Sequence, residues 1–105
     1  MTDKRIVLST AGSEGEARKI AQHLVEHQLA ACVNIIPHIE SIYRWQGKME
    51  SSTEWLLLIK TTQEKFPAVR DAIRHLHSYE LPECIALAIE DGSAPYLDWI
   101  AQSVK

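Results

Sequence analysis

The segment RHLHSYELPEC, Arg74 to Cys84, gathers two histidines, two glutamates and one of the chain's two cysteines. Imidazole, thiolate and carboxylate are the side chains that hold metal ions: nitrogen and sulfur suit copper and zinc, oxygen suits harder cations. A metal site is one reading of this stretch. The other is a helix terminus running into a strand, where histidines are favoured by the helix dipole and by the last unpaired carbonyls. His75 and His77 stand two apart and do not share a helix face, so they cannot chelate one ion together while the helix continues.

What positions these groups has to be a small fold. The chain has 105 residues, 46% of them hydrophobic, which suits one domain, 1–105, with a single core. Eleven Lys plus Arg against fourteen Asp plus Glu leave a net charge of -3. That balance offers no basic footprint for nucleic acid or for anionic lipid. The N-terminal MTDKRIVLSTAG turns polar again at Ser9, too soon for a secretory signal, and WLLLI is the longest strongly apolar run, far short of a membrane span. A cytosolic protein is expected, with Cys32 and Cys84 as reduced thiols.

Periodicity then divides the chain. RIVLST is rich in β-branched residues and reads as a central strand, ending at AGSEGE. Ser13 and Glu16 have capping-box spacing, and Ala17, Ile20, Ala21, Leu24 and Val25 recur on one helical face, predicting a helix from about Glu14 to Leu29. Residues 31–62 read as a long hairpin with Gly47 in its turn and with Pro37 confined to an edge or a bulge. Arms of that length outreach the rest of so small a sheet. A second helix is predicted from near Glu64, with Pro67 in its first turn and an end before Pro82. CIALAIE alternates large Ile85, Leu87 and Ile89 with small Ala86 and Ala88, as a strand does. Pro95 opens a last helix bearing Leu97, Ile100 and Val104.

The order β-α-β-β-α-β-α is the α+β ferredoxin-like βαββαβ arrangement with an added C-terminal helix. Both crossover helices then lie on one face of an antiparallel sheet. WLLLI is apolar on both faces, so the second face also needs cover, and a homo-oligomer is the simplest supply. The fourth strand lies beside the first, which sets Cys84 near Ser9 and Thr10 with His77 to Glu83 on the same edge. Cys32 begins the second strand at the opposite edge, and an intrachain disulfide is rejected.

LAACVNIIPHIESIYRWQGKMESSTEWLLLIKTT, FPAVRDAIRHLHSYELPECIAL and YLDWI, nearly the whole chain in order, together resemble the CutA family of divalent-cation tolerance proteins. The resemblance implies a tight trimer similar to the PII signal proteins, with clefts between subunits and extended hairpins crossing onto neighbours. It also implies a role in metal tolerance, copper binding being attributed to bacterial members, while animal relatives are linked to membrane-protein anchoring. The family's copper proposal resembles a thiolate at the end of the first strand with a histidine pair before the post-helix loop. Here Ser9 and Leu76 stand at two of those positions, Ser78 replaces the usual proline, and only His77 carries over. Cys84, across the strand pair, could supply the missing thiolate beside His77, with Glu80 or a neighbouring subunit completing the site. The alternative is that both are structural.

Other residues carry two readings each. Tyr79, Glu80 and Glu83 match the family's post-helix loop and would border its intersubunit cleft, or else fix the loop by hydrogen bonds. Tyr43, Trp45 and Trp55 could line that cleft or anchor a subunit interface. Arg44, Lys48 and Lys60 could face an anionic ligand or be solvated strand charges. The loop STAGSEGE has no metallochaperone C-x-x-C, the first strand has no stacking aromatics for RNA, and no nucleophile has a paired base, so an enzyme is not expected. The expected function is metal binding or metal response, copper or another divalent cation being the implied ligand. The competing one is a PII-like module whose clefts take a small anionic metabolite or a protein partner.

Overall fold

A computed structural model describes every residue from Met1 to Lys105. The chain runs β1 (Lys4–Ala11), α1 (Glu14–Glu26), β2 (Cys32–Trp45), β3 (Lys48–Thr62), α2 (Phe66–Leu76), β4 (Ile85–Ala88) and α3 (Ala94–Ser103). The strands form one antiparallel sheet in the order β2-β3-β1-β4, the ferredoxin-like order expected from the sequence.

Register sorts the side chains into two faces, because partners directly opposite in an antiparallel pair share a face. Val7 opposes Ile59 and Ala86, and Val33 opposes Ile59. These line the side covered by α1 and α2, where Val7, Ile20, Leu24, Leu57, Ile59, Val69 and Ile73 are fully buried in one cluster. The small Ala86 and Ala88 face the same way. Leu8 opposes Leu58 and Ile85, and Ile6 opposes Leu87, so the bulky side of β4 belongs to the second face. There Ile85 and Leu87 are 50% and 48% exposed. Ile100 is buried but stands outside the α1/α2 cluster, and α3 packs against β3 and β1 from the other side of the sheet. The sequence left the second face without any cover from its own chain; α3 covers part of it, and the part toward Ile36 and Ile85 remains bare.

The hairpin closes with a two-residue turn between the paired Trp45 and Lys48. Gln46 and Gly47 both have positive φ, 51° and 81°, the conformation that matches the twist of the flanking strands and that glycine adopts freely. The β2/β3 register shifts between Ile36 and Ile39, placing Pro37 and His38 in a bulge, as the missing proline N–H requires. β1 accompanies β3 only as far as Trp55. Residues 48–54 therefore project beyond the sheet by about 23 Å at roughly 3.3 Å per residue, and the molecule measures 44 × 25 × 22 Å.

Three elements have a boundary two or more residues from the one expected. α1 stops at Glu26, not Leu29, because Gln28 turns left-handed at φ 59° and the N–H groups of Leu29 and Ala30 fold back onto the Leu24 carbonyl. α2 begins at Phe66, after a turn in which Lys65 and Phe66 donate to the Thr62 and Gln63 carbonyls. β4 is four residues long rather than seven; the Ser9 hydroxyl, not a ladder N–H, takes the Glu83 carbonyl at 2.7 Å. Both cysteines are free thiols, at opposite edges of the sheet. No helix is long and apolar enough to cross a membrane.

Candidate functional site

Along the projecting hairpin, the loop after α2 folds against β2 and β3 and leaves a cleft of about 620 Å³. Ser41, Ile42, Tyr43 and Trp45 come from β2, Glu54 from β3, and Tyr79, Glu80, Leu81 and Glu83 from the loop. Of the residues singled out in the sequence, Tyr43, Trp45, Tyr79, Glu80 and Glu83 are thus brought together. Lys60 is not. It lies where β3 pairs with Cys32 and Ile6, and its ammonium donates to Asn34. The strand reach that extends the hairpin carries Lys60 to the opposite end of β3 from the cleft.

Glu54 went unnoticed in the sequence. It precedes the WLLLI run and faces the side of the sheet that carries Leu56 and Leu58, yet it is only 6% exposed. Tyr79 covers it: the phenol donates to Glu54 Oε2 at 2.7 Å. Burial, the hydrogen bond to Glu54 and the nearby negative charges together drive the Tyr79 hydroxyl well above its usual range, so it acts as a fixed donor. Tyr79 reaches this position across Gly12, where a Cβ would come within 2.9 Å of the phenol oxygen. The one available signal was a lone carboxylate entering an apolar strand.

His77 anchors the loop from behind. It caps α2 and its ring is buried, with Nε2 donating to the Thr10 carbonyl at 2.6 Å and Nδ1 accepting from the Tyr79 N–H at 3.0 Å. Both ring nitrogens are engaged, which describes the neutral Nε2–H tautomer. Coordination of a metal would require His77 to release one of these partners. Glu16 reaches in from α1, taking the Ser78 N–H at 2.8 Å. Burial alone would raise its carboxyl, but the hydrogen bonds from Ser78, with Gly12 beside it, hold it below its ordinary value. Cys84 is half-buried against the core, and its thiol is pushed up by burial despite the opposing pull of Arg70, which disfavours the thiolate that a soft metal needs. No three His, Cys, Asp or Glu side chains of the chain converge as a ready metal cluster. His75 is exposed, on a different side of α2 from His77.

The Glu83 carboxyl, at the cleft mouth, is raised above its ordinary 4.5, first by partial burial and then by the Glu54 charge. A folded state that holds this proton more tightly than the unfolded chain is stabilised fully below pH 4.5, and that contribution fades as pH climbs through the raised value. Glu83→Gln is therefore expected to remove part of the decline in stability above pH 4.5. Urea unfolding of both proteins at steps from pH 4 to pH 7 tests this. Parallel stability curves would contradict the arrangement.

The fold and cleft define a class: a ferredoxin-like, PII-like chain with an acidic, aromatic-walled groove along its long hairpin. Residues 5–103 match the model of the CutA1 divalent ion tolerance protein family, and the chain belongs to that family. It is 49% identical over 100 residues to the divalent-cation tolerance protein CutA of Thermus thermophilus, covering 95% of this chain and 97% of that one. The solved Thermus structure superposes with a TM-score of 0.95 at 48% identity, over 97% of this chain and 99% of that chain. Human protein CutA is 50% identical over 93 residues, 89% of this chain, which spans about half (52%) of the human protein. A solved structure from Archaeoglobus fulgidus, described as a periplasmic divalent cation tolerance protein, has a TM-score of 0.94 at 45% identity over 97% of this chain and 99% of that one.

Proposed function

We propose that this chain acts in divalent-cation tolerance as a cytoplasmic homotrimer that binds or responds to metal ions, copper among them, and carries no catalytic activity of its own. The observation that carries the reading is family membership across residues 5–103, shared with relatives named for divalent-cation tolerance. The acidic cleft supports the divalent-cation part of it: the carboxylates of Glu54, Glu80 and Glu83 are oxygen donors of the kind that suit a hard cation. One chain does not complete such a site, so a neighbouring subunit supplies the remaining ligands. The bare second face around Ile36, Ile85 and Leu87 and the projecting hairpin favour that assembly. A small anionic metabolite has less support, since the lining offers it carboxylates and no Lys, Arg or His.

Two measurements test this. Sedimentation equilibrium is expected to give about three times the 11.9 kDa of one chain, and a stable monomer would sink the assembly. Chelator-competition titrations of reduced, metal-free protein with Mn(II), Zn(II) and Cu(II) are expected to show binding that weakens in Glu83→Gln and persists in Cys84→Ser. Binding lost instead in Cys84→Ser and His77→Ala would move the ion to the thiolate and imidazole pair.

A further inference from the structure

α1 carries two imidazoles that the cleft does not use. His23 and His27 are one turn apart on the same helix face, half-buried and exposed respectively, and their rings stack with centroids 4.1 Å apart and planes inclined by 26°. His27 Nδ1 lies 3.0 Å from the His23 carbonyl oxygen. A carbonyl only accepts, so the proton sits on Nδ1 and the His27 Nε2 lone pair is free. A backbone carbonyl holding one ring nitrogen while the other stays available is how metal-bound histidines are oriented.

The spacing is also that of a chelate. In HLVEH, residues 23–27, the histidines are i and i+4, the separation by which helices offer two imidazoles to one zinc ion. The pair sits in the last turn and cap of α1, where the unpaired carbonyls and the dipole favour positive charge. Forming the chelate requires the stacked rings to fan apart by side-chain rotation, with the fold unchanged. No third His, Cys, Asp or Glu is in place beside them, so water fills the other coordination positions.

We propose that His23 and His27 form a surface site for one borderline divalent cation, Zn(II), Ni(II) or Cu(II), separate from the cleft and independent of the function assigned to it. In the full-length, metal-free protein, substoichiometric Zn(II) is expected to shift the imidazole resonances of His23 and His27 together. H23Q and H27Q are each expected to weaken that event about a hundredfold, the lower end of what tethering two ligands contributes. E83Q is expected to leave it unchanged. Both histidines are outside the core, so equal thermal midpoints in chelator show that the variants fold. Zinc titrations of H23Q and H27Q that superimpose on wild type, or resonances of His23 and His27 that stay fixed while zinc binds elsewhere, would overturn the proposal.

Discussion

His77→Ala is expected to lower folding stability by about 2–4 kcal/mol, because it removes one buried and one half-buried hydrogen bond and strands a carbonyl. The Thr10 carbonyl, on a residue only 8% exposed, loses its donor, and the Tyr79 N–H loses its acceptor. The two bonds together contribute roughly 1 kcal/mol net, and the buried carbonyl left unsatisfied costs about 1–3 kcal/mol more. The damage reaches the cleft, since Tyr79 is held by His77 on its backbone and by Glu54 on its hydroxyl. Denaturant unfolding at matched chain concentration, with and without a strong chelator, measures the effect. A loss that persists in chelator fits a structural imidazole. A loss that vanishes when metal is removed would show that His77 stabilises the chain through an ion.

Ile59→Ala should be at least as damaging, at about 2–5 kcal/mol. Ile59 is fully buried in β3 and lies opposite Val7 in β1 and Val33 in β2. Both neighbouring strands hold its surroundings in place, so the void cannot collapse and the lost contacts are not recovered. Ile59→Val removes a single methylene and should cost about 0.5–1.5 kcal/mol. The same unfolding measurements on both variants check the ranking. An alanine variant within 1 kcal/mol of wild type would mean that this part of the sheet is far more plastic than the packing indicates.

Much of the site's framework was legible because its signals are local. Ser13 caps α1, its hydroxyl oxygen accepting from the Glu16 N–H at 3.2 Å. Gly47 makes the hairpin turn, and Pro37 falls in the bulge that a missing donor demands. Tyr79, Glu80 and Glu83 stood out because they match the family's post-helix loop, and Trp45 because it is an aromatic of the long hairpin. Glu54 and Lys60 show where this stops. They lie six positions apart on the same strand and the same face, yet one enters the cleft and the other lies at the far end of the sheet.

By itself, then, the sequence determined the order of elements and the turns, since these follow from spacing and from backbone chemistry a few residues wide. The tertiary structure alone decided that Tyr79 crosses Gly12 to bury Glu54, that both nitrogens of His77 are taken, and that α3 covers part of the second face. Those outcomes depend on strand register and on contacts between residues more than sixty positions apart, such as His77 and Thr10. No local periodicity encodes them.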